Sequence, residues 1–180
     1  MAKRVIRDGN PLDLVSFLAY GELISTPGAY KGEYKASKGL VHETQWACPW
    51  ASAFREFGGM ECAKLYCTAI DIAVMNGFNR DLDFEYRQNM HTAGTCEFFY
   101  RGSEIEEDTM ETCTDRLIPG RSLKHDMTYH TADVWQSFCC SVGEKHPEIV
   151  SGVKAEVLEK LGSEAFALLE ELARTDFEAI

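Results

Sequence analysis

Asp81-Leu82-Asp83-Phe84-Glu85-Tyr86-Arg87 alternates charged with large apolar side chains, residue by residue. A period of two puts every second side chain on one side of an extended chain. The stretch therefore predicts a strand with one buried and one wet face. Thr92-Ala93-Gly94 reads as a turn, and Thr95 to Arg101 as the returning strand. A second pair of runs, Tyr30 to Ala36 and Leu40 to Ala47, flanks Ser37-Lys38-Gly39, a Gly-containing loop of hairpin length.

Around these hairpins the pattern is helical. Pro11 followed by Leu12, Leu14, Val15 and Leu18 predicts a short amphipathic helix, ended by Thr26-Pro27-Gly28. Pro49 opens a helix carrying Trp50, Ala53, Phe54 and Phe57, which Gly58-Gly59 stops. Met60 to Met75 is apolar nearly all round, the mark of a buried helix. From about Thr131 the spacing of Trp135, Phe138, Cys139 and Val142 is helical again. Pro147 then starts a final helical region that Gly162-Ser163 divides. Glu104 to Glu111, with five acids, predicts an exposed loop. The expected fold is α+β: an antiparallel sheet of about four strands from two hairpins, packed against helices, with a helical C-terminal region. Neither a repeat nor a linker divides the 180 residues, so a single domain 1–180 is expected.

The bulk numbers narrow the function. With 45% hydrophobic and 26% charged residues the composition is globular. Eighteen basic against 29 acidic side chains leave a net charge of -11, which opposes nucleic-acid backbones and anionic membranes as partners. A small molecule is the expected partner, and a homo-oligomer stays open. No apolar run of signal or membrane-spanning length follows Met1-Ala2-Lys3-Arg4. Seven cysteines, an odd count without a CxxC pair, read as reduced thiols, and a cytoplasmic location is expected.

Asp71 is the most informative single residue. It lies deep in the apolar helix, where an unpaired carboxylate needs a partner or a raised pKa. Cys67, four residues earlier, shares its helical face. Such a pair can act as nucleophile and proton acceptor, or hold a divalent metal such as zinc, with Cys67, Asp71 and Cys96 as the ligand set. An Asp that only pairs with an arginine or caps a turn is the bland alternative. His130, in Tyr129-His130-Thr131-Ala132-Asp133, stands near a helix start with Asp133 positioned to orient its ring. The bland version there has Thr131 capping the helix and Asp133 facing its dipole. Cys48 and Cys96 are by default small core residues. His91, close to Cys96 in sequence, is a weaker candidate.

Cys48-Pro49-Trp50, Phe54, Gly58, Tyr66-Cys67 with Asp71, Gly77-Phe78-Asn79, Gly94 and Cys96-Glu97-Phe98 occur here in an order and spacing that resemble the L-2-amino-thiazoline-4-carboxylic acid hydrolase family. Tyr129-His130-Thr131-Ala132 with Trp135 resembles that family's C-terminal motif. Arg80 stands where members often carry Pro. The resemblance implies opening of a cyclic isothiourea by water to give N-carbamoyl-cysteine. It makes Cys67, Asp71 and His130 the catalytic candidates and Cys48, Cys96 and Asp133 the substrate-binding ones. A more distant likeness to V4R small-molecule-binding domains implies a binding module without catalysis.

Overall fold

A computed structural model describes residues 1–24, 26–103, 105, 113–119 and 123–177. The acidic stretch Glu104 to Glu111 lies outside the described residues except for Ile105, which is buried. The chain divides into two compact units, Met1–Leu123 and Lys124–Ile180.

The first unit opens with α1 (Ala2–Arg7) and α2 (Leu14–Ala19). Asp13, not Pro11, begins α2: its side chain accepts a hydrogen bond from the Ser16 amide, satisfying one of the donors a helix start leaves free. The short α1 was not expected from its sequence. Val5 is fully buried, and Arg4 lies beneath the surface, donating to Tyr20 O at 3.2 Å and Glu22 Oε1 at 2.6 Å. Tertiary contacts hold a helix of six residues that its own propensity would not.

Strands β1 (Lys31–Ser37), β2 (Leu40–Ala47), β3 (Asp83–Gln88) and β4 (Cys96–Arg101) form one antiparallel sheet in the order β1-β2-β4-β3. Both hairpins are present, joined through β2 and β4, so the chain is α+β as expected. Register fixes the faces. Val41 pairs with Tyr100, Glu43 with Phe98 and Gln45 with Cys96, which puts these six on the inner face. Phe84 and Tyr86 join them from β3, and Tyr34 from β1. Leu14 of α2, with Val41, Phe98, Tyr100 and Ile105, makes the main core. On the outer face His42 stacks on Phe99 at 4.2 Å, and Arg101 pairs with Glu85. Between β3 and β4 the chain forms one helical turn, α5 (Met90–Ala93), where a plain turn was expected. Gly94, at φ 83°, closes it in a conformation that favours glycine.

α3 (Pro49–Glu56) leads into α4 (Met60–Phe78). The expectation of an α4 buried all round is corrected. Ala63, Met75 and Phe78 are buried, but Leu65 is 77% and Val74 43% exposed. Apolar composition states that a helix can be covered, not which of its faces this unit covers.

The second unit is three helices: α6 (Met127–Gly143), α7 (Pro147–Leu161) and α8 (Ser163–Leu172). Trp135 anchors it, stacked on Phe138, edge-on to Phe166, and donating from Nε1 to Glu170 Oε1 at 2.8 Å. An apolar groove of about 380 Å³ runs between Trp135 and Phe138 of α6 and Val153 and Val157 of α7. No helix among the described residues is long and apolar enough to cross a membrane.

Candidate functional site

Several elements of the first unit, β2, α4, α5 and β4 among them, each bring one piece of chemistry to the site. Cys48 sits at the β2–α3 junction as the residue before Pro49. It makes no formal capping bond. Burial pushes its thiol pKa up, while the Ala51 and Trp50 amides and the Tyr30 hydroxyl pull the other way. Cys67 and Asp71 project from α4 one turn apart. Cys96 begins β4 on the face that Phe98 and Tyr100 share.

These residues sense one another electrostatically. Burial lifts Cys67 to about 11, with Cys48, Asp71 and Cys96 adding to the rise. Burial likewise lifts Cys96 to about 11, with Asp71, Cys48 and Glu43 among the contributors. Both thiols are therefore protonated at neutral pH. Asp71 is half-buried and accepts no hydrogen bond from the described residues. Burial first, and the charge of Glu43 second, raise its carboxyl from 3.8 to about 6. Cys48, Cys67, Asp71 and Cys96 thus lie within electrostatic range of one another.

Glu43 was missed. It is only 4% exposed, on the inner face, and accepts from Tyr100 Oη at 2.9 Å and Gln45 Nε2 at 2.5 Å. Tyr34, directly opposite on β1, has its own pKa raised by burial first and by Glu43 second. A buried carboxylate with two side-chain donors is held in place in the site. His91, a weak candidate by sequence, lies with Nε2 at 3.4 Å from Cys67 Sγ. Burial, then the charges of Arg55 and Lys64, lower its pKa and keep the ring neutral.

Other expectations need correcting. Among the described residues no group of three His, Cys, Asp or Glu side chains is arranged to hold a metal ion, so Cys67, Asp71 and Cys96 do not make a ligand set. His130 and Asp133 belong to the second unit. Asp126, not Thr131, caps α6, accepting from the Tyr129 amide at 3.0 Å. Thr131 lies inside the helix and donates to Met127 O. No hydrogen bond joins Asp133 to His130; His130 Nε2 is buried without a partner, its ring set edge-on to His125 and Tyr129.

A family model described as L-2-amino-thiazoline-4-carboxylic acid hydrolase matches residues 1–100. The chain belongs to that family. The match takes in Glu43, Cys48, Cys67, Asp71, His91 and Cys96, and ends before the Tyr129-His130-Thr131-Ala132 motif. It starts at residue 1, well before the first motif that carried the resemblance. The family's name is that of a hydrolase, and the matched span is the one that builds the cluster around Asp71. Comparison with curated proteins gives no match, and comparison with solved structures gives none.

Proposed function

We propose that this family member hydrolyses a small heterocyclic acid of the 2-amino-thiazoline-4-carboxylate type. The observation that carries the reading is Asp71: a half-buried carboxyl without a hydrogen-bond donor among the described residues, poised at about 6 inside the family-matched span. A general base works best when its pKa lies near the working pH. At neutral pH Asp71 is ionised and takes a proton from water, whose oxygen adds to ring C2. The C2–sulfur bond then breaks, and the protonated Asp71 returns its proton to the departing sulfur. The product is N-carbamoyl-cysteine. A 2-amino-thiazoline ring is an isothiourea, which in its protonated form is drawn to the charges of Asp71 and Glu43. Cys48 and Cys96 line the same cluster as neutral contacts for the ring. His130 and Asp133 are given no step.

The second reading, a small-molecule-binding module without catalysis, is favoured by the protonated state of Cys67 and Cys96. One experiment addresses both. Purified protein is incubated with the thiazoline acid, and free thiol and carbamoyl product are measured across pH. Thiol release with an acid limb near 6 supports the hydrolase. Absence of release beside an active relative overturns it, and tight binding without release then supports the binding module.

A further inference from the structure

We propose that Cys67 and His91 form a thiol–imidazole pair that opens the substrate ring covalently before water enters. This rests on the ring-opening reading above and divides its water step in two: Cys67, not water, breaks the C2–sulfur bond, and water adds to the same carbon afterwards.

The pair is held from several sides. Cys67 Sγ on α4 and His91 Nε2 on α5 are 3.4 Å apart, within hydrogen-bond distance for sulfur. Phe54 of α3 meets the imidazole edge-on at 6.3 Å. Asn89, 3% exposed, accepts from the His91 amide at 3.0 Å and from Thr92 Oγ1 at 3.2 Å, fixing the short helix that carries the ring. Among the described residues His91 Nδ1 is buried without a partner, and Nε2 is the nitrogen set against Cys67. Asp71 stands one turn from Cys67 on the same face.

The charges around the pair decide when the proton moves. Burial first, and the charge of Asp71 with it, disfavour a resting thiolate at Cys67. Burial first, then Arg55 and Lys64, disfavour a resting imidazolium at His91. Glu43, from β2, acts on Asp71. The pair therefore rests neutral, and the thiol proton passes to Nε2 only as sulfur attacks, the arrangement in which an adjacent base activates a weak nucleophile.

The atoms balance. Cys67 Sγ bonds to ring C2 while His91 Nε2 takes the thiol proton. The C2–ring-sulfur electron pair leaves on that sulfur, which takes the proton from His91. An isothiourea linked to Cys67 remains, with no atom of the substrate lost. A less basic thiolate leaves faster, and a ring sulfur of ordinary alkyl-thiol basicity is less basic than Cys67, so forward opening is favoured. Water then adds to the same carbon. One of its protons ends on the imino nitrogen, and the other, carried by Asp71, on the sulfur of Cys67 as that bond breaks. The oxygen stays as the urea carbonyl.

Two arms test this on the full chain, each variant first checked for a cooperative thermal melt. In the first, protein and thiazoline acid are mixed, quenched in acid and weighed by mass spectrometry with peptide mapping. Asp71→Asn is expected to accumulate an adduct heavier by one whole substrate molecule, on the peptide bearing Cys67. Cys67→Ser is expected to form none, and His91→Gln to form it about 100-fold more slowly, the lower end of what a general base supplies. Turnover by the parent with no adduct in Asp71→Asn, an adduct on Cys48 or Cys96, or parental turnover by Cys67→Ser overturns the proposal. The second arm needs no substrate: iodoacetamide labelling of Cys67 is followed over pH. In the parent its rate should fall as His91 protonates, and in His91→Gln that limb should vanish while Cys48 and Cys96 label as before. Labelling of Cys67 that ignores His91 overturns the pair. His91-dependent labelling without thiazoline turnover supports the pair and removes only the substrate assignment.

Discussion

Glu43 on β2 and Asp71 on α4 are two carboxylates of one cluster, treated in opposite ways: Glu43 is saturated with donors, and Asp71 accepts none from the described residues. Glu43 supplies the second-largest cause, after burial, of the rise of Asp71 to about 6. Glu43→Gln removes that negative charge while keeping an acceptor for Tyr100. Losing a like charge favours the ionised form, so the Asp71 pKa should fall, and the acid limb of the pH–rate profile should move to lower pH. An unmoved limb would show that the two carboxylates do not sense each other.

Replacing Asp71 by Asn tests the cost of its placement. A carboxyl raised in the folded state is a source of stability only below its unfolded pKa, and that contribution is lost as pH rises through about 6. At neutral pH the ionised group thus costs stability, at most about 3 kcal/mol and less after solvent screening. Asp71→Asn should melt at or above the parent at pH 7, with the gap closing as pH falls from 6 towards 4, and should lose turnover. Calorimetry at both pH values, beside an activity assay, decides. A large fall in melting temperature at pH 7 would mean that Asp71 is scaffolding.

Arg116 is scaffolding of the ordinary kind. Its Nη1 donates to Asp13 Oδ1 at 2.6 Å, Asp13 Oδ2 at 2.7 Å and Ser16 Oγ at 2.9 Å, bracing the start of α2. Burial acts to raise Asp13, but Arg116 and Ser16 prevail and hold it below its usual value. Arg116→Met should destabilise by about 1–3 kcal/mol at neutral pH, because Asp13 then loses its cation. The deficit should shrink as pH drops through the lowered Asp13 pKa. Denaturant melts at two pH values would show it.

Gly32 marks a bulge where β1 shifts register against β2. A Cβ there would stand 2.6 Å from Thr44 O, a backbone atom that cannot swing away. Gly32→Ala should therefore cost roughly 1–3 kcal/mol, as overpacking does. A thermal melt of the variant checks this, and parental stability would mean that β1 shifts without strain.

Much of this protein was legible in its sequence. β2 has the bounds its apolar run predicted, and Pro49 and Gly58-Gly59 bracket α3, because strand period and helix punctuation are local properties of the chain. The helical spacing of Cys67 and Asp71 alone placed them on one face. Two local readings failed for non-local reasons: α1 is held by the burial of Val5 and Arg4, and α4 buries one face only.

Glu43 and His91 could not be read in this way. Along β2 the set Leu40, His42, Thr44 and Trp46 looks at least as apolar as Val41, Glu43 and Gln45, so alternation alone assigns Glu43 to water. The pairing of β2 with β4 reverses that, setting Glu43 opposite Phe98, where the Tyr100 hydroxyl can satisfy a buried carboxylate. His91 is 24 residues from Cys67, and their contact exists because the β3–β4 connection carries α5 against α4. The sequence by itself determined the four strands, the longer helices and the Cys67–Asp71 face. Tertiary structure alone decided the charges and proton acceptors around that face, because burial and electrostatic coupling depend on distances that only strand order and helix packing set.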